Sequence, residues 1–157
     1  NDLIFTFMKI ELSTLENIPE IMTIINDAKE LLAALKIDQW QNGYPNAAQV
    51  EADILKGESY VVLNDENQVI ATSMFTTNKE PTYQIIEEGS WKVDESKNYG
   101  VIHRMAIKKE YRKQGLATLL FDEFHQQLKS KNIQSLKIDT HEENLGMQAL
   151  IKKIGYQ

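Results

Sequence analysis

Arg112, Gly115 and Ala117 set an R-x-x-G-x-A pattern between an apolar run ending at Ile107 and a helical pattern opening at Leu116. A strand-to-helix turn of this kind leaves the first backbone N–H groups of the helix unbonded and puts the positive end of its dipole beside them, which is the chemistry of an anion site. Gly115 lets a ligand approach the main chain and Ala117 takes little room. Lys108, Lys109, Arg112 and Lys113 face only Glu110 as a local counter-charge, in a chain whose 17 Lys+Arg and 23 Asp+Glu leave it at −6. Neither G-x-x-x-x-G-K-[ST] nor G-x-G-x-x-G occurs, so this is neither a P-loop nor a dinucleotide-binding turn. A glycine turn with a solvated basic face would read the same locally, and it is the flanking strand and helix that favour the anion site.

Composition removes several other chemistries. With no cysteine there is no disulfide, thiolate nucleophile, Fe–S cluster or Cys-containing zinc site, and His103, His125 and His141 are the whole supply of imidazole. The acidic balance argues against a broad nucleic-acid interface. No apolar run reaches the ~18 residues that cross a bilayer, and the N-terminus lacks a basic signal-peptide region, so a cytoplasmic protein with no membrane partner is expected. The 157 residues suit one domain. It is expected over 8–157, with 1–7 a non-native or flexible prefix and one or more C-terminal strands missing beyond Gly155-Tyr156-Gln157.

The turn must be held by elements that the periodicity locates. Met8 to Leu12 alternates like an opening strand, and Ile18, Ile21, Met22, Ile25, Ala28, Leu32 and Leu35 recur at helical spacing, with Asn17 as cap and Pro19 in the first turn. Trp40 to Pro45 reads as a loop, after which Asn46 caps a short helix ending before Gly57. Tyr60–Leu63 and Val69–Phe75 flank Asn64-Asp65-Glu66-Asn67 as a hairpin. Residues 79–98 are irregular and 101–107 form a strand. Leu116, Leu120, Phe124 and Leu128 mark a helix face, then a buried strand 136–139 and a helix over about 144–154 follow. The order β, α, α, β, β, β, α, β, α predicts an α/β (α+β) fold with a mixed sheet and helices packed on it.

Ile102-His103-Arg104-Met105-Ala106-Ile107 leading into Tyr111-Arg112-Lys113-Gln114-Gly115-Leu116-Ala117 resembles the GNAT superfamily of acetyl-CoA-dependent N-acetyltransferases. Ile138-Asp139-Thr140-His141, Asn144 and Lys153-Ile154-Gly155-Tyr156 match the family's fifth strand, last helix and closing G-[FY] pair, so the likeness runs from Met8 to the end. Gln39-Trp40 with Gly43-Tyr44-Pro45 and His103-Arg104 is similar to a group of bacterial members whose acceptors are mostly unassigned. The resemblance implies a mostly antiparallel sheet with strands four and five splayed. It implies that acetyl-CoA is the co-substrate, with Arg112, Lys113 and the backbone of Gln114, Gly115, Leu116 and Ala117 cradling its pyrophosphate. It further implies that the main chain of Met105, Ala106 and Ile107 pairs with the pantetheine arm, that an N–H such as that of Ala106 polarises the thioester, and that Asn144 contacts the arm or simply caps its helix.

An amine with an ordinary pKa of about 10.4 is neutral in roughly one molecule per thousand at pH 7, so N-acetylation needs a base, desolvation or a water chain. Strand alternation puts His103, Met105 and Ile107 on one face and Arg104 and Ala106 on the other. His103 is then either a general base two residues before the thioester-binding backbone or a buried structural histidine. Asp139 and His141 are further candidates, and His125 falls on the polar side of its helix. Many family members carry a tyrosine general acid four residues before the Gly of G-[FY], where this chain has Ile151. Trp40, Tyr44, Tyr83, Glu87, Glu88 and Trp91 either wall a pocket for a cationic amine or close the core. The expected acceptor is a small-molecule or peptide/protein primary amine, a homodimer is plausible, and the alternative function is a CoA-binding regulatory or structural module without turnover.

Overall fold

The computed structural model describes residues 8–36, 45–77, 99–112 and 114–138. Within them five strands form one sheet in the order β1-β2-β3-β4-β5: β1 (Lys9–Leu12), β2 (Ser59–Leu63), β3 (Val69–Thr76), β4 (Gly100–Ile107) and β5 (Leu136–Ile138). β1 to β4 pair antiparallel and β4 with β5 parallel. The described β4–β5 ladder holds three pairs, Gly100↔Leu136 to Ile102↔Ile138, and the expected splay beyond it lies outside the described residues. The described helices are α1 (Ile18–Ala34), α2 (Ala47–Leu55) and α3 (Leu116–Ser130). Up to β5 the element order is the one expected from the periodicity.

Local chemistry explains the ends. Asn46 closes a reciprocal cap on α2: Gln49 N–H donates to its Oδ1 at 3.0 Å while Asn46 N–H donates to Gln49 Oε1 at 2.9 Å. Between β2 and β3 the Asn64 side chain accepts from the N–H groups of Glu66 and Gln68, fixing the hairpin. Asn17 differs from the expected cap of α1. Its Oδ1 accepts from the N–H and hydroxyl of Thr14, closing the one-turn 3-10 helix Leu15–Asn17 that feeds α1, and it makes no side-chain bond to α1 itself. A preceding turn is invisible to helical periodicity.

Two cores sandwich the sheet. Ile21, Ile24, Ile25 and Leu32 of α1 pack with Val50, Val61, Leu63, Val69 and Ala106, whereas Leu35, just past the end of α1, is exposed. On the other side Leu116, Ala117, Leu120, Phe121, Phe124 and Leu128 of α3 cover Val62, Ile70, Phe75 and Ile102. Phe124 stacks on Phe75 with ring centroids 4.4 Å apart. Gly100 is what lets α3 come this close, because a Cβ there would sit 2.7 Å from Leu128 Cδ2. β5 is half-buried, not fully buried as expected, since it stands at the edge of the described sheet.

Candidate active site

β4 and α3 meet at the turn singled out from the sequence. A 3-10 turn, Lys109–Tyr111, leaves β4, Arg112 is extended, and Gly115 caps α3 with φ +83°, a left-handed conformation that costs a residue with a Cβ about 1–2 kcal/mol. The backbone bond from Leu119 N–H to Gly115 O, 3.0 Å, belongs to the first turn of α3. The N–H groups of Leu116, Ala117 and Thr118, which precede it, therefore have no acceptor inside the helix. Thr118 was missing from the sequence-derived set because the boundary of the helix, not its composition, makes it the third donor. The side chains of Leu116 and Ala117 are buried, so only their main chain faces the turn. Arg112 Nε donates to Ile107 O at 3.3 Å and Gln114 Nε2 to Glu110 O at 3.1 Å, which brace the turn against β4 and against itself. Lys108 and Glu110 approach to 4.0 Å as an exposed pair of little energetic weight.

β4 is not a regular strand. Its register against β3 runs Met74↔His103 and then Thr72↔Ala106, so Arg104 and Met105 together stand opposite Ser73. Arg104 takes φ +53° at this bulge. The added residue shifts the alternation expected for the strand. Ile102, Met105 and Ile107 pack on the α3 side and Ala106 on the α1 side, so His103 does not share a face with Met105 and Ile107. His103, paired with Met74, belongs instead to the α1/α2 side and is 8% exposed. His125 is exposed, as its place on the helix implied.

The α1/α2 side also buries a fork. Arg104 Nε and Nη2 donate to Asp53 Oδ2 and Oδ1, each at 2.8 Å. Asp53 falls on the same stripe of α2 as Val50 and Ile54, and a carboxylate on an apolar stripe is the signal that a buried partner exists. Nearby, Ser13 and Ser59 share a hydroxyl contact at 2.8 Å, and Thr76 Oγ1 donates to buried Glu58 at 2.6 Å. A cavity of about 10 Å³ lies among Ile25, Asp53, Ser59, Thr72, Met74 and Arg104. That is room for about one water molecule and not for an amine substrate.

Known proteins match the chain both in sequence pattern and in fold. The acetyltransferase (GNAT) family pattern covers residues 22–156. The chain belongs to this family. It is similar to a GNAT-family acetyltransferase from Streptococcus agalactiae, at 33% identity over 96% of this chain and 85% of that one, with a TM-score of 0.77. Its fold is also similar to a GNAT-family acetyltransferase from Listeria monocytogenes (12% identity, 96% and 86% of the two chains, TM-score 0.76). A predicted acetyltransferase from Clostridium acetobutylicum, solved with acetyl-CoA, aligns at 21% identity over 96% and 90% with a TM-score of 0.63. None of the curated proteins matches the sequence.

As a GNAT acetyltransferase the protein uses acetyl-CoA as its acetyl donor. The donor set at the start of α3 fits a phosphate: three N–H groups with no acceptor inside the helix and a left-handed glycine, with Arg112 three residues earlier in the chain. Lys113 and Asn144 lie outside the described residues, as do Asp139, His141, Ile151, the closing Gly155-Tyr156 and the expected last helix. So do Trp40, Tyr44, Tyr83, Glu87, Glu88, Trp91 and the prefix 1–7. Among the described residues no helix is long and apolar enough to cross a membrane.

Proposed function

We propose that the protein transfers acetyl directly from acetyl-CoA to a primary amine of a small molecule or a peptide, with the site at the bulged end of β4 and the start of α3. The observation that carries this reading is the break in β4. Arg104 and Met105 share one opposing residue, so the pairing with β3 breaks at Arg104–Met105 and resumes at Thr72↔Ala106 and Ala71↔Ile107, just before the anion turn. The pyrophosphate lies against the N–H groups of Leu116, Ala117 and Thr118, with Arg112, Lys113, Gln114 and Gly115 completing the turn. The arm runs along Met105–Ile107, and a backbone N–H of that stretch faces the thioester oxygen, where negative charge grows as the amine attacks.

The chain has no cysteine to take the acetyl group as a thioester, which favours attack by the amine itself. In that step the amine nitrogen bonds to the thioester carbon, the C–S bond breaks and the sulfur leaves as thiolate. His103, buried on the α1/α2 side and one residue before the bulge, accepts the amine proton. Asn144 contacts the arm. Trp40, Tyr44, Tyr83, Glu88 and Trp91 supply an aromatic and acidic wall for a cationic acceptor. Because Ile151 replaces a tyrosine acid, water protonates the thiolate.

The test is a screen of polyamines, aminoglycosides, amino acids and lysine peptides with acetyl-CoA, read as free thiol. Amine-dependent thiol release with the acetylated amine recovered by mass spectrometry is the expected result. Saturable acetyl-CoA binding without release for any amine would replace this reading with a regulatory CoA-binding module.

A further inference from the structure

Arg104 is the residue of β4 whose conformation calls for a cause. A long side chain at φ +53° is strained, and glycine would take that position freely. Strain of this kind persists only when its surroundings over-determine it. Here the surroundings are specific. The Arg104 guanidinium reaches α2 and meets both carboxylate oxygens of Asp53 at 2.8 Å, with the two side chains only 13% and 9% exposed. Asp53 is held in turn by its own main chain, since its carbonyl oxygen accepts from Glu58 N–H at 2.9 Å where the chain enters β2. The planar fork fixes an orientation as well as a distance, which a lysine could not do.

We propose that Asp53 is a positioning residue for acetyl transfer: through its paired hydrogen bonds to Arg104 it holds the β4 bulge in the shape that aims the backbone of Met105–Ile107 at the thioester. The inference rests on the reading that this backbone receives the thioester carbonyl. It adds a link from α2, which directly follows the 37–46 segment carrying Trp40 and Tyr44, to the main chain that polarises the donor. The spare N–H groups of α3 are not part of this link, so the clamp acts on polarisation of the carbonyl and leaves the hold on the pyrophosphate alone.

The experiment reads the carbonyl stretch of acetyl-CoA labelled with ¹³C at the thioester carbonyl, bound to the full chain, together with its Kd by calorimetry. Wild type, Asp53→Asn, and Asp53→Asn with Arg104→Gly are compared, each first checked for a cooperative thermal transition. The expected pattern is a downshifted stretch in wild type, a downshift at least halved in Asp53→Asn, and Kd values within about twofold of each other. The double variant, in which glycine adopts the left-handed conformation without a clamp, recovers most of the downshift. A merely structural pair would lower Tm without moving the stretch, and glycine would restore nothing. An unchanged downshift in Asp53→Asn overturns the clamp while leaving the backbone reading intact. No downshift in wild type overturns the backbone reading, and the clamp with it. If Asp53→Asn fails to fold, the double variant decides: a wild-type downshift supports the clamp, and its loss overturns it.

Discussion

On the α3 side of the sheet, Phe121, Phe124, Leu120 and Leu128 close over Ile70, Phe75 and Ile102 in an almost wholly apolar layer. On the α1/α2 side, Ile21, Ile24 and Ile25 share their layer with buried Asp53, Ser59, Thr72, Thr76, His103 and part-buried Arg104. Burying those polar groups costs free energy unless each is bonded, and the Asp53–Arg104 fork, the Ser13–Ser59 contact and the Thr76–Glu58 bond are how the fold meets that cost. One face is therefore apolar packing, and the other buries bonded polar groups, which on the proposed reading hold the chemistry at fixed positions. The bulge in β4 is the hinge between them, because it sends Met105 and Ile107 to the apolar side and leaves His103, Arg104 and Ala106 on the polar one.

Substitutions on each side should separate these roles. Phe124→Ala removes a fully buried ring stacked on Phe75 and edge-on to Tyr60. It should cost about 3–5 kcal/mol, or roughly 10 °C in Tm by calorimetry, with acetyl-CoA affinity of the folded protein unchanged. A loss of affinity without a loss of Tm would erase the distinction between the faces. His103→Ala should do the reverse, lowering kcat about 100-fold with the best amine found by the screen while acetyl-CoA Kd stays within about twofold. An unaffected kcat would return His103 to a structural role. The smallest effect belongs to the periphery: Asn46→Ala breaks the α2 cap and should cost about 1 kcal/mol, or about 2–4 °C in Tm, with kcat unchanged. A fall in kcat there would mean that the placement of α2 reaches the site more strongly than the Asp53 link alone implies.

The sequence carried the element order as far as β5, the Asn46 cap, the hairpin at Asn64 and the glycine turn at Gly115, because each is written in local periodicity or in a residue with a special backbone preference. The bulge was not readable. Residues 101–107 read as a strand, and Arg104 is neither glycine nor asparagine, so no turn residue announces φ +53°. The Arg104 side chain meets Asp53 from 51 residues away, and a contact of that span is a property of the packed fold. Misplacing His103 on the face of Met105 and Ile107 followed directly, since one added residue reverses every later side chain. The proposed acceptor wall is a different case: its aromatic and acidic residues lie outside the described residues, their type alone singles them out, and no periodicity says which of them converge.

On the proposed reading, the start of α3 and the bulged end of β4 form one acetyl-CoA site. Calorimetric titration of acetyl-CoA into wild type and Gly115→Val tests it most directly, because a β-branched residue cannot readily hold φ +83° at the head of the helix. Saturable binding to wild type, weakened at least about 100-fold in a variant that still unfolds cooperatively, is the predicted result. Equal affinity in the two proteins, or no binding to wild type, would contradict it.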